Sequence, residues 1–217
     1  MLTEDLKRSV HDLRFLLNRG YPRSSAVEFV SDHYLLNSEE RHFLVRSVYS
    51  KDEIEAHESK LMDISKIEDS KVKVDGYNVL ITVESLLRGE LVIRCDDRVL
   101  RDLQADFGSY KLNEYTEQTV DKILAIFENF DPKKAYFYFD KPVSKSGELA
   151  GFVRDQISER GISGGAEAVE GVDKEVWDSE VSASSDSVII EKAENIIDIP
   201  SEILSEGSEE FVDLKRI

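Results

Sequence analysis

From residue 71 onward the sequence alternates between two kinds of segment, and this alternation constrains the fold more than any other feature. The β-branched run KVKVD gives way at Asp75-Gly76 to the helix-like VLITVESLLRG, after which ELVIRCDD reads as a strand. Thr116 to Asn129 reads as a helix, KKAYFYFD as a strand and Gly147 to Arg160 as a helix. AEAVEGVD and VSASSD read as short strands, SVIIEKAE as a helix and NIIDI as a final strand. The expected fold class is therefore α/β, with a mostly parallel central sheet flanked by helices.

The chain before this region has a different period. Leu6, Val10, Leu13, Leu16 and Leu17 recur at helical spacing behind Thr3, a good N-cap. A second helix fits roughly residues 23–36, with Ala26, Val27, Phe29, Val30 and Leu35 on its apolar side. Asn37-Ser38-Glu39-Glu40 caps a third, and the charged KDEIEAHESK reads as an exposed helical extension or linker. The expected division is a small all-α module over residues 1–66, then an α/β domain over 67–217. The acidic tail from Glu202 onward is expected to attach loosely.

Charge follows this division. The net charge is -17, with 10 Lys and Arg against 12 Asp and Glu in residues 1–66, and 18 against 33 in the remainder. So acidic a domain opposes non-specific nucleic-acid binding, which depends on cations neutralising phosphates. Divalent cations held by a carboxylate cluster would invert the local field. Cys95 is the single cysteine, so one chain has no internal disulfide and no thiolate cluster. No apolar run is long enough to span a bilayer and the N-terminus lacks a signal-peptide pattern, so a cytoplasmic protein with no membrane contact is expected.

The acids fall where strands end. Asp75 closes the first strand, Asp96-Asp97 the second and Asp140 the segment YFYFD; Asp173 follows AEAVEGV and Asp186 closes VSASSD. Parallel strands share one carboxyl rim, where open α/β sheets bind ligands. Clustered carboxylates repel unless protonated or neutralised by a cation. Oxygen ligands of this type suit Mg²⁺ or Mn²⁺, and Asp75, Asp173, Asp186, Asp140 and Asp97 form the expected ligand set. The competing reading of each is an ordinary helix N-cap or turn former.

VDGYNVL resembles the opening motif of the PIN-like nucleases, in particular the NYN branch. EGVDKEVW and VSASSDSVII are similar to that branch's Gly-Val-Asp and Ser-x-Asp segments. The resemblance covers roughly residues 70–200 and implies a metal-dependent ribonuclease with Asp75, Asn78, Asp173 and Asp186 in catalytic positions. At Val188 the sequence departs from the family, which often carries a second acid there. Over its whole length the chain resembles an uncharacterised archaeal family in which a small helical module precedes a PIN-like domain.

Two further stretches offer phosphate contacts. Lys141, Ser144, Lys145 and Ser146 lie just before a helix N-terminus, where free N–H groups favour anions; the alternative is a proline turn with Ser146 as N-cap. Arg101 near the acidic rim contacts a phosphate or pairs with a carboxylate. Arg14, Arg19, Arg23, Arg41 and Arg46 of the helical module present RNA or a protein partner, or form a solvated face. His11, His33, His42 and His57 show no ligand-like spacing. Three functions compete: a Mg²⁺- or Mn²⁺-dependent ribonuclease, a non-catalytic module binding a protein or nucleotide, and a phosphate-handling enzyme acting on a small substrate.

Overall fold

The computed structural model describes residues 2–104, 110–206 and 211–217. Its chain forms two compact units, each assembled from separated stretches of sequence. One contains Met1–Ser59, Leu91–Ala105 and Glu210–Ile217; the other contains Lys60–Glu90 and Asp106–Glu209.

In the first unit, four helices precede a small sheet: α1 (Glu4–Leu17), α2 (Arg23–His33), α3 (Ser38–Ser47) and α4 (Lys51–Glu58). The expected N-cap of α1 is present, with the Leu6 N–H donating to Thr3 Oγ1 at 3.2 Å. Asn37 and Glu40 form a reciprocal capping box at the start of α3. The KDEIEAHESK segment is not a linker. Ser50 and Glu53 cap α4 in the same way, and the helix buries His57. Phe29 of α2 and Leu35, beyond the end of that helix, leave the expected apolar side and are 66% and 89% exposed.

This unit is not all-α. β2 (Val92–Arg94) turns back into β3 (Leu100–Asp102), and β8 (Val212–Asp213) pairs parallel with β2. The reversal is made at Asp96-Asp97-Arg98, where Arg98 adopts a left-handed backbone with φ 68°. Among the described residues β2 pairs antiparallel with β3 across this reversal and parallel with β8, and with no other strand, so ELVIRCDD is a hairpin arm and not a strand of the main sheet. Leu13, Phe43, Leu44, Ile93 and Leu214 meet in the core of this unit. Leu214 is fully buried, so the end of the chain is anchored, contrary to the loose tail expected from its acidity. The single boundary expected near residue 66 gives way to a unit that recruits two later segments.

The second unit carries the parallel sheet. β1 (Lys71–Asp75) leads into α5 (Gly76–Leu87), and α6 (Thr116–Phe130) leads into β4 (Lys134–Asp140). Then follow α7 (Ser146–Glu159), β5 (Gly164–Val169), α8 (Val172–Trp177), β6 (Val181–Ala183), α9 (Ser187–Lys192), β7 (Ile196–Ile197) and α10 (Ile199–Glu206). The five strands are all parallel, in the order β5-β4-β1-β6-β7.

Val72 and Val74 of β1, Phe137 and Phe139 of β4, and Ala183 of β6 contribute to the core. Every residue of α5 from Gly76 to Leu86 is buried, as its near-continuous apolar sequence requires. Ile203 and Leu204 of α10 are buried too, so the region after Glu202 continues the fold. Among the described residues no helix is long and apolar enough to cross a membrane.

Candidate functional site

The order of the strands decides where a ligand fits. β1 lies between β4 and β6, and the chain builds the sheet outward from β1 first on one side and then on the other. Such a reversal opens a crevice at the carboxyl ends of the strands. A cleft of about 190 Å³ lies at this rim, lined by Asp75, Tyr77, Asn78, Asp140, Asp173 and Asp186. Four of the five expected metal ligands and the expected Asn78 thus line one cleft.

Asp75 is the last residue of β1 and the N-cap of α5. Its Oδ1 accepts from the Asn78 N–H at 3.4 Å, and its Oδ2 accepts from Ser184 Oγ at 2.9 Å. Gly76 follows because the backbone passes against an aromatic ring. A Cβ at that position would stand 2.4 Å from Phe139 Cε1. The Asp-Gly corner is therefore a cap and a close packing contact, with a carboxylate left at the rim.

Asn78 is held from β6: its Oδ1 accepts from both the N–H and Oγ of Ser185, each at 2.8 Å. Its Nδ2 makes no hydrogen bond among the described residues. Asp186 caps α9 through Oδ1, which accepts from the N–H groups of Val188 and Ile189 at 2.8 and 3.2 Å. The hydroxyl of Ser184 joins the two strand ends, accepting from the Asp186 N–H at 3.1 Å while donating to Asp75. Capping and cleft lining coexist at Asp75 and Asp186, since a cap leaves part of the carboxylate unused.

Asp140 closes β4 and is half-buried, whereas Asp173 sits in the first turn of α8 and is exposed. Asp173 therefore reaches the cleft from a helix and not from a strand end. Neither carboxylate forms a hydrogen bond or ion pair among the described residues. Burial pushes the Asp75 carboxyl up to about 7, against the lowering effect of Ser184 and Asn78, and repulsion from Asp186 and Asp140 adds to the rise. Asp140 is raised by burial and by Asp173. Tyr77, packed edge-on against Phe139, is pushed up to about 12 by burial and by Asp140.

The remaining candidates lie elsewhere. Asp97 belongs to the first unit, where Arg101 donates to both of its oxygens at 2.7 Å and His57 Nδ1 lies 2.9 Å from Oδ2. Burial works to raise this carboxyl, but Arg101 and His57 outweigh it and hold the group well below the usual carboxylate range. Asp97 is thus no ligand of the cleft, and Arg101 is the buried partner of a carboxylate and no phosphate contact.

The Lys141–Ser146 loop does not line the cleft. Lys141 and Lys145 lie 3.9 and 3.2 Å from Glu170 and Glu148. Ser146 is not an N-cap, because its hydroxyl turns back to donate to the Lys141 carbonyl; Lys145 takes the cap position in a left-handed conformation. Of the module's arginines, Arg14, Arg23, Arg41 and Arg46 pair with Asp96, Glu53, Asp32 and Asp102, while Arg19 lies over the Phe15 ring.

The donor set of the cleft is all oxygen, which fits a hard divalent cation. Among the described residues no three His, Cys, Asp or Glu side chains close on a common point as a ready metal cage. A cation there would keep part of its water shell, as Mg²⁺ commonly does. Sequence reasoning missed Ser184, Ser185 and Tyr77. The serine pair in SASSD was the available signal, because hydroxyls at a strand end next to acids are suited to orienting them.

A family model described as "Domain of unknown function (DUF5616)" matches residues 64–202, and one described as "Protein of unknown function (DUF434)" matches residues 5–60. The uncharacterized protein MJ0935 of Methanocaldococcus jannaschii is 37% identical over 191 residues, covering 88% of this chain and 91% of that relative. No solved structure matches. Neither family description assigns an activity, and none of these matches is to a PIN-like nuclease.

Proposed function

We propose that this chain, which belongs to the DUF5616 family of unknown function, is a divalent-cation-dependent phosphodiesterase acting on RNA, with a PIN-like scaffold of the NYN type. One observation carries the reading: Asp75, Asp140, Asp173 and Asp186 come from separate elements, yet line one cleft with Asn78 at the carboxyl rim of a parallel sheet. Caps alone do not account for this. Among the described residues the Asp140 and Asp173 carboxylates make no hydrogen bond or ion pair. The Asp75 and Asp140 carboxyls, raised first by burial, are raised further by repulsion from Asp186 and Asp140 and from Asp173 respectively. A folded protein keeps such a set where a cation neutralises it.

In this reading Asp75, Asp140, Asp173 and Asp186 hold Mg²⁺ or Mn²⁺. The bound cation supplies an activated water and charge stabilisation at the phosphate. Ser184 holds Asp75, and Ser185 holds Asn78 through its Oδ1, which leaves the Asn78 Nδ2 as a donor to substrate or water. Tyr77 forms an aromatic wall. The surrounding charge is acidic, so attraction of RNA depends on the cation and not on the protein surface.

The second reading, a non-catalytic module for a protein or nucleotide partner, is favoured by Val188, where the resembling family often has an acid, and by the lack of a ready three-ligand cage among the described residues. A cleavage assay on a mixed RNA pool with Mg²⁺ or Mn²⁺ separates the two. Cleavage abolished by EDTA and by Asp75→Asn supports the phosphodiesterase. An RNA pool left intact with either cation refutes it and favours the binding module.

A further inference from the structure

We propose that Lys73 is a positioning residue that sets Asp173 in the cleft, an inference that rests on the cation-site reading above. Residues of a strand alternate between its faces, so Lys73 shares a face with Asp75, two positions on. Lysine is almost never buried unless its ammonium is partnered, and Lys73 is only 6% exposed. Its Nζ donates to the Glu175 carbonyl at 2.6 Å, lies 3.6 Å from the Glu175 carboxylate and stands 5.6 Å from the centre of the Tyr138 ring.

These contacts lie at the C-terminal half of α8, the short helix whose first turn carries Asp173. A helix end leaves carbonyls unpaired and partially negative, and an ammonium answers both needs. Ser182, paired with Lys73 in the register of β1 and β6, donates to the Val176 carbonyl at 2.7 Å. Two buried donors on neighbouring strands thus hold consecutive carbonyls of one helix.

The anchors matter because α8 lacks other means of fixing itself. Six residues are too few for a self-sustaining helix. Its N-cap, Gly171, has a left-handed backbone and gives no side-chain cap. Asp173 is exposed and, among the described residues, its side chain makes no hydrogen bond or ion pair that would fix its place. The position of that carboxylate is therefore set through the helix backbone, from Lys73 and Ser182 beneath it.

The test is a cycle of Mn²⁺ affinities measured by calorimetry on the full chain: wild type, Lys73→Met, Asp173→Asn and the double variant. Removing an outer support of a metal ligand typically weakens binding about 10-fold or more. Lys73→Met is expected to show about that loss in the wild-type background, and less than about 2-fold when Asp173 is already Asn, because the two changes act through one ligand. An equal loss in both backgrounds, or no loss in either, overturns the inference. If Lys73→Met does not fold, Ser182→Ala runs the same cycle with an expected loss of about 3-fold, the value of one neutral hydrogen bond, and additivity there is equally fatal. A wild-type chain without an Mn²⁺ site sensitive to Asp75→Asn overturns the cation reading itself, and the inference with it. That failure is visible before any Lys73 variant is compared.

Discussion

Replacing Asp75 by Asn removes one charge from the cleft while keeping an oxygen for the Asn78 N–H and a polar group opposite Ser184. The Asp75 carboxyl is pushed up to about 7 in the fold, from 3.8. At about 1.36 kcal/mol per unit, a rise of about 3 units means that ionised Asp75 costs the metal-free fold at most ~4 kcal/mol. Water penetration and relaxation reduce this to about 1–2 kcal/mol. The sign follows from linkage. A carboxyl raised on folding contributes its full stability below the unfolded value near 4, and this is lost as pH rises through 7.

Metal-free Asp75→Asn should therefore be more stable than wild type at pH 8, and its advantage should be smaller at pH 5, by part of that ~1–2 kcal/mol. Urea unfolding in EDTA at the two pH values measures this difference. Trp177 is the single tryptophan and lies in the unit that carries the cleft, so its fluorescence reports the relevant transition. An advantage independent of pH, or larger at pH 5, refutes the reasoning and returns Asp75 to the status of a plain helix cap.

Three other outcomes are expected. Gly76→Ala should destabilise the α/β unit by about 1–3 kcal/mol, since its Cβ meets the Phe139 ring; partial recovery in Gly76→Ala/Phe139→Leu, measured by urea unfolding, identifies the clash as the cause. Asp97→Ala should cost about 3–5 kcal/mol, because it removes the buried carboxylate that both Arg101 and His57 contact; a calorimetric melt showing under 1 kcal/mol contradicts the buried pair. A fragment of residues 1–66 lacks Asp96 and Asp97, the partners of Arg14 and His57, and lacks the core residue Leu214. It should give the circular dichroism of an unfolded or molten chain, and a cooperative melt would show that the helices suffice alone.

Much of the α/β unit was legible because its signals are local. KVKVD and KKAYFYFD have the period of strands, and Asp75-Gly76 marks the corner where strand becomes helix. The rim was legible too, since parallel strands force their last residues to one side. The fate of ELVIRCDD was not legible. Its apolar pattern suits either sheet, and the reversal that follows it passes through Arg98 in a left-handed backbone, which arginine does not advertise. The role of Asp97 followed from that choice, because its partners His57 and Arg101 are distant or ambiguous in sequence. The C-terminal segment was misread on charge alone: Leu214 follows an acidic stretch and is nevertheless buried. Lys73 was hidden for the opposite reason, since an alternating Lys in a strand looks like a solvent-facing position.

Asp75, Asp140, Asp173 and Asp186 together form a cation site in the reading proposed above. Crystals of the metal-free protein soaked in Mn²⁺ test it most directly, by the position of the anomalous scattering peak. A peak is expected in the cleft within direct ligand distance of at least two of Asp75, Asp140, Asp173 and Asp186, absent from Asp75→Asn crystals treated alike. A cleft without a peak at millimolar Mn²⁺, or a peak confined to other acids of the surface, contradicts it.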